Sequence, residues 1–309
     1  MSLIVRKPGL FTTIQDLGRP GHGRWGVSPC GAMDPLALAL ANLLAGNDRG
    51  AAALEVTASG PELLFEEEAT FAIAGADLGA TLDGTRLSTV RAHRALSGQV
   101  LRFGGRIRGA RAYVAVAGGL GASAQRFLGS AATDVEARVG GLSGRPLRAR
   151  DALVPAPQPP FRALAAEDPW GRLYEPPGVV RFVPEPGAGL PAESLERFVA
   201  ATFTVSPRSN RTGYRLEGPA LPTAAGGSRL SEPVAPGAIQ VPPDGQPIVL
   251  LADRQTTGGY PRLGHVVSAD IPRLAQIWLG DAVTFRAVTL DEARESLREQ
   301  RAWLEGAVK

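Results

Sequence analysis

Polar side chains of the kinds that bind or activate small molecules crowd into three stretches of this chain. The first holds Gln15, Asp16, Arg19, His22, Ser28 and Asp34, all within twenty residues broken by glycine and proline. Loops carried on a rigid scaffold are where binding groups concentrate. We take Asp16, Arg19 and Asp34 as candidate catalytic groups here, with Gln15 and Ser28 as candidate substrate contacts. Plainer roles fit the same residues. Asp16 can pair with Arg19, Asp34 can cap a helix, and His22 beside its glycines can be a solvated loop histidine.

The second stretch is VSPRSNRTGYRLEG (205–218), with Arg208, Ser209 and Arg211 as candidate substrate contacts. The two arginines can form one anion-binding fork if the loop curls. Alternatively they pair with Glu217 and Glu232 on a surface loop. The third is IQVPPDGQPIVLLADRQTTGGYP (239–261). A PPDG turn feeds an apolar strand that ends abruptly in polar groups followed by two glycines. A plain turn needs the glycines but not Gln255, Thr256 and Thr257 as well. This pattern suits a ligand that approaches backbone, and Gln240, Asp253, Gln255, Thr256 and Thr257 are the candidate contacts. The three stretches are expected to converge in one cleft.

Other chemistries lack their signatures. His22, His93 and His265 lie far apart with no H-x-x-x-H spacing, so no zinc site is legible and no metal ligand is assigned. No G-x-S-x-G elbow occurs. Cys30, the one cysteine, stands between Pro29 and Gly31 with no base nearby and reads as inert. The run YVAVAGGLGASA (113–124) carries G-x-G-x-x-A after an apolar stretch, but Gly129 follows too soon for the crossover helix that a dinucleotide site requires. It reads as a glycine-rich β-turn.

The elements that must position these groups are mostly short strands. Gly 38 and Pro 26 make about a fifth of the 309 residues, well above the usual share, which disfavours a helical bundle. Residues 1–33 read as irregular. Asp34-Pro35 then opens a helix through LALALANLL to Gly46, with Asp34 as its N-cap. From Leu54 to about Val154 glycine-bounded apolar segments read as strands, and Asp83-Gly84 marks a hairpin. PAPQPP (155–160) is the best linker candidate. Beyond it come a strand in PPGVVRFVPEPG, a short helix over 191–203, more strands to Arg286, and a final helix opened by the capping box Thr289–Glu292.

The two halves carry similar short segments in the same order: SGPELLF and EGPALP, ALSGQVLRF and VAPGAIQVP, RAYVAVAGG and QPIVLLADR, LRARDALVP and WLGDAVTFR. A duplicated β unit follows, divided at 1–160 and 161–309 with strand exchange allowed between them. Net charge is +3, but apart from Lys7 and Lys309 every basic residue is arginine, interleaved with acids and forming no run. That is a mixed solvated surface, not a nucleic-acid face. No apolar stretch of about 18 residues occurs, so no membrane span is expected, and the chain reads as cytoplasmic.

Longer blocks carry a family resemblance. QDLGRPGHGRWGVSPCGAMDPLALALANLLAGN, SPRSNRTGYRLEGPAL and PGAIQVPPDGQPIVLLADRQTTGGYP are similar to the signature blocks of the KipA family. That family is also called the C subunit of 5-oxoprolinase, allophanate hydrolase subunit 2 or biotin-dependent carboxyltransferase. The resemblance spans nearly the whole chain and implies a mainly β fold, two cyclophilin-like β-barrel domains in tandem with a few short helices. It also implies partners, a KipI-like subunit of the B type plus one of the A type, together with a small-molecule substrate. The implied activity is ATP-dependent opening of 5-oxo-L-proline to L-glutamate, with the chain inactive alone and ATP with Mg²⁺ acting at the level of the complex. A lactam is a poor electrophile. Such a site needs an anchor for the carboxylate, donors for a developing oxyanion, and acids that hold Mg²⁺ or orient water. Two further readings stand beside this one: the carboxyltransferase component of a biotin-dependent urea carboxylase, and a regulator that binds a KipI-like kinase inhibitor. No covalent biotin is expected, because Met33 in GAMD lacks the adjacent lysine.

Overall fold

The computed structural model describes residues 2–157, 160–174, 178–185, 189–223 and 230–309. Part of the expected linker, Gln158 and Pro159, lies outside the described residues, as do the two ends of PPGVVRFVPEPG. The chain is mainly β and forms two compact units. The first comprises Met1–Arg19, Cys30–Asp168 and Leu304–Lys309; the second comprises Pro20–Pro29 and Pro169–Trp303.

The first unit has two sheets over one core. One sheet orders its strands Ala152–Leu153, Leu3–Lys7, Glu62–Phe65, Val100–Phe103, Ala80–Leu82 and Thr85–Arg86; the other orders Phe11–Gln15, Ala53–Thr57, Arg108–Val116, Ala69–Asp77 and Ala92–Ala95. Both sheets send apolar side chains into the same interior, Leu3, Leu63, Phe65 and Leu101 from one and Ile14, Val56, Phe71 and Val114 from the other. Burial of this kind is the main favourable term in folding. Residues 1–33, read as irregular, contain two five-residue strands. LIVRK and FTTIQ are strand-like by composition, and they pair with segments about fifty residues away that a local reading does not see.

Local signals hold where they are strongest. The helix runs Pro35–Leu44 with the Asp34 carboxylate accepting from the Ala37 amide at 2.9 Å. Asp83 and Gly84, both at positive φ, turn the hairpin that pairs Leu82 with Thr85. After Arg108–Val116 the chain turns at Gly118 and Gly119 and enters no helix, so the G-x-G-x-x-A run has no crossover to follow it.

The second unit is a closed barrel of Val179–Pro184, Arg262–Val266, Ala238–Gln240, Ile248–Leu250, Gly213–Glu217, Thr202–Val205 and Ala282–Ala287. Its seam is a parallel pair, Val179–Pro184 against Ala282–Ala287. The helix Ala192–Ala200 packs Phe198 against Phe182, Phe203 and Phe285, ring centres 4.5 to 5.4 Å apart. A ribbon of two residue pairs, Glu232–Pro233 with Thr257–Gly258, stands apart from the barrel sheet. The final helix, Leu290–Gly306, begins with the expected box: Thr289 N–H donates to Glu292 at 2.7 Å, and Glu292 N–H donates back to Thr289 Oγ1 at 3.2 Å. Three of the four matched segment pairs fall on strands in both units, whereas Glu62–Phe65 is a strand and residues 218–222 are not. The hydrogen-bond partners also differ. Ala238–Gln240 pairs with Ile248–Leu250, while Val100–Phe103 and Arg108–Val116 lie in different sheets.

Candidate functional site

In the first unit, strand Phe11–Gln15 delivers Gln15 and Asp16 to a crossing of three chain segments. The Asp16 carbonyl accepts from Ala32 N–H at 2.9 Å. Its carboxylate accepts from Gly18 N–H at 2.7 Å, Ser130 Oγ at 2.6 Å and Ala131 N–H at 2.6 Å. The crossing is tight: a Cβ on Gly31, at φ +90°, would lie 2.7 Å from the Gly18 nitrogen. Asp16 therefore works as a clamp, and it does not pair with Arg19. Arg19 is buried, donates to the Ala132 and Phe127 carbonyls and stacks its cation 5.6 Å from the Phe127 ring centre. Gln15 donates to Thr13 Oγ1 and to the Thr133 carbonyl, both at 3.1 Å.

Asp34 sits in a second buried network. Its N–H donates to the Tyr113 hydroxyl at 2.8 Å, and that hydroxyl donates to Glu55 at 2.6 Å. Burial, reinforced by the charges of Glu55 and Asp34, pushes the Tyr113 phenol well above its ordinary range, so it stays a donor. Asp34 has no exposed surface and caps the helix Pro35–Leu44. Cys30 points its thiol at Asp134, Sγ to Oδ2 3.3 Å, which is the geometry of a protonated donor.

The other flagged residues fall in the second unit. His22 stacks on Trp25, ring centres 5.6 Å apart, and Arg24 lies over the same indole. Arg211 and Asp253 form a two-point ion pair at 2.7 and 2.8 Å, nearly buried, and Asp253 N–H also donates to the Arg211 carbonyl. Ser28 Oγ donates to the neighbouring Ala252 carbonyl at 3.5 Å. Ser28, Arg211 and Asp253 thus come together in this unit, while Gln15, Asp16, Arg19 and Asp34 belong to the other.

Arg208 and Arg211 do not form one fork, because Arg211 is committed to Asp253 and Arg208, exposed, makes a loose contact with Glu217 at 3.4 Å. Ser209 closes its own turn, accepting from Arg215 N–H at 2.9 Å. Gln255 and Thr257 are exposed and Thr256 half-buried. Gln240 is buried on the barrel strand with its amide nitrogen unpartnered among the described residues.

The profile of the carboxyltransferase domain, subdomains A and B, matches residues 25–287. The chain belongs to this family. It is 38% identical over 308 residues to the C subunit of 5-oxoprolinase from Escherichia coli (strain K12), covering 98% of this chain and 96% of that one. The protein of the same name from Haemophilus influenzae is 36% identical over 294 residues, covering 95% and 93%. Urea amidolyase of Saccharomyces cerevisiae is 32% identical over 324 residues, which span 96% of this chain and 17% of that enzyme. Among solved structures, the urea amidolyase of K. lactis superposes with a TM-score of 0.92 at 28% identity over 99% of this chain and 20% of that chain. The mainly β fold is that of the family.

Sequence reasoning missed one region of the second unit. A cavity of about 610 Å³ is lined by Glu185, Arg262, His265, Leu290, Arg294 and Leu297 among others. Arg262 bridges Glu185 at 2.9 Å and Glu232 at 3.0 Å. His265 is held below the usual histidine range by burial, with Arg262 pushing the same way and Glu185 opposing. The signal available was a strand, RLGHV, carrying an arginine and a histidine among apolar neighbours. Among the described residues no three His, Cys, Asp or Glu side chains stand close enough to hold a metal ion, and no glycine loop feeds a helix N-terminus as a phosphate cradle does. No helix among them is long and apolar enough to cross a membrane.

Proposed function

We propose that the chain is the C subunit of an ATP-dependent 5-oxoprolinase, which opens the 5-oxo-L-proline lactam to L-glutamate. The observation that carries this reading is the near end-to-end match with two proteins of that name, each covered by more than nine-tenths of its length. In this reading the chain works in the cytoplasm with a KipI-like partner of the B type and a third component of the A type. It is inactive alone and leaves ATP and Mg²⁺ to the assembled complex. Of the candidate contacts, Ser28, Arg208, Ser209, Gln255, Thr256 and Thr257 have accessible surface and can meet substrate without any rearrangement. In the second unit the Arg211–Asp253 ion pair ties the two loops that carry these contacts, and in the first unit Asp16, Arg19 and Asp34 are buried and hold their own surroundings together.

The test is 5-oxoproline-dependent ATP hydrolysis by the chain, by each pair of components and by the full set. Turnover is expected only from the full set. Turnover by the isolated chain, or none from any combination, overturns the reading. The match to carboxyltransferase subdomains and to a urea amidolyase supports a second reading, carboxyl transfer from a separately carried biotin to a urea-like acceptor. Decarboxylation of carboxybiotin by the chain with its KipI-like partner would select it.

A further inference from the structure

Gln240 lies on the barrel strand Ala238–Gln240, is 1% exposed, and has an amide nitrogen with no hydrogen-bond partner among the described residues. A buried amide left unmade is costly, and native proteins rarely carry one without a reason. Over it lies the Glu232–Pro233/Thr257–Gly258 ribbon. The contact is closest at Gly258, where an added Cβ would stand 2.5 Å from Gln240 Nε2 and 3.3 Å from Val234 Cγ1. Only a residue without a side chain leaves the amide its place.

The ribbon is weakly held. It has two residue pairs extended by a Val234 N–H bond to the Thr256 carbonyl at 3.0 Å, a small apolar contact of Val234 with Ala238 and Leu250, and a bond from Arg254 Nε to the Val234 carbonyl at 3.1 Å. Its charged tie is Glu232 to Arg262 at 3.0 Å. A ribbon this short is the kind of element that can open by local unfolding. Arg262 is the register partner of Gln240 on the adjacent strand, which puts both side chains on one face. Lifting the ribbon exposes the Gln240 carboxamide and removes one of the two carboxylates from Arg262, the other being Glu185.

We propose that the space under this ribbon is a subsite for a cyclic amide bearing a carboxylate. A carboxamide is the complement of a cis-amide edge: Nε2 donates to the ligand carbonyl and Oε1 accepts from the ligand N–H. Arg262 takes the ligand carboxylate in the place of Glu232. The bare face of Gly258 closes over the ring. The assignment of 5-oxoproline to this subsite rests on the proposed 5-oxoprolinase function. The recognition of a lactam edge by Gln240 does not.

The experiment is ligand binding to the full chain, by calorimetry and ligand-observed NMR, with 5-oxo-L-proline, 2-pyrrolidinone (the lactam without its carboxylate) and urea. Gln240→Leu is expected to weaken both lactams at least tenfold, the loss of two neutral hydrogen bonds. Gly258→Ala, whose new methyl displaces only a flexible side-chain end, should do the same with its thermal midpoint near the wild-type value. Glu232→Gln is expected to tighten 5-oxo-L-proline several-fold and leave 2-pyrrolidinone unchanged. Lactam affinities within twofold of wild type in both Gln240→Leu and Gly258→Ala overturn the subsite and leave a structural water as the occupant. No lactam binding by the wild-type chain overturns it equally, and so does tighter binding of urea than of either lactam. Lactam binding through Gln240 in a complex that never turns 5-oxoproline over keeps the subsite and removes the 5-oxoprolinase reading.

Discussion

Replacing Asp16 by asparagine changes almost no volume and converts one acceptor oxygen into a donor. The carboxylate accepts three hydrogen bonds, from Gly18 N–H, Ser130 Oγ and Ala131 N–H, in a site only 7% exposed. An asparagine can keep its oxygen toward Gly18 and Ser130, and its amide then faces the Ala131 N–H at 2.6 Å, donor against donor. One charge-assisted bond is lost, about 1.5–3 kcal/mol, and a buried N–H is left unsatisfied, about 1–3 kcal/mol more. The expected loss is roughly 3–5 kcal/mol, a large part of the roughly 5–15 kcal/mol typical of a folded protein. With a urea slope of about 1–3 kcal/mol/M, the midpoint should fall by at least about 1 M.

The assay has a built-in control, because all four tryptophans, Trp25, Trp170, Trp278 and Trp303, belong to the second unit. Far-UV circular dichroism should therefore lose stability on urea titration while tryptophan fluorescence shifts much less. Ser130→Ala, which removes one donor and keeps the charge, should cost about half as much. A midpoint shift for Asp16→Asn below roughly 0.5 M, together with a large fall in turnover of the reconstituted complex, would refute the clamp and return Asp16 to the reacting groups.

Arg211→Ala, by leaving Asp253 without its guanidinium, should destabilise the second unit by about 2–4 kcal/mol, and the Arg211→Ala/Asp253→Ala double variant by less than the sum, read by tryptophan fluorescence in urea. Leu128 sits at φ +49° before Gly129 in a two-residue turn that bonds Phe127 to Ser130, so Leu128→Asn should raise stability by about 1 kcal/mol in calorimetry. His93 and His265 both titrate below the ordinary 6.5, chiefly through burial. The unfolded chain therefore binds protons first as pH falls. Stability should be complete above 6.5 and decline as the pH drops from there through the lowered folded values, and NMR titration of the two imidazoles should report those values directly. Removing either histidine should flatten that decline.

What the sequence discloses is what neighbours in the chain decide. Asp34-Pro35, Asp83-Gly84 and Thr289–Glu292 are complete within four residues, and all three form as read. The strands Leu3–Lys7 and Phe11–Gln15 depend on partners far along the chain, and the density of glycine and proline around them hides their alternation. Site residues follow the same division. The signature blocks contain Asp16 and Arg211, but what these residues touch depends on distant groups. Asp16 meets Ala131, 115 residues on, and Arg211 meets Asp253, 42 residues on. Arg262 and His265 went unflagged because their partner Glu185 belongs to another strand region, and no spacing rule joins the three.

The segment Leu304–Lys309 belongs to the first unit, where Val308 bridges Ala166 and Lys309 exchanges two backbone hydrogen bonds with Ala165. On the ribosome that segment is made after every strand of the second barrel, whereas Pro20–Pro29, which the second unit needs, emerges long before the rest of that unit. Domains usually fold in the order they are synthesised, at about 5–20 residues per second. Here the first unit remains unfinished until Leu304–Lys309 has been made, and the second holds an early piece in reserve. A cut after Asp168 would separate each unit from a segment that belongs to it, so it would not yield two self-sufficient halves.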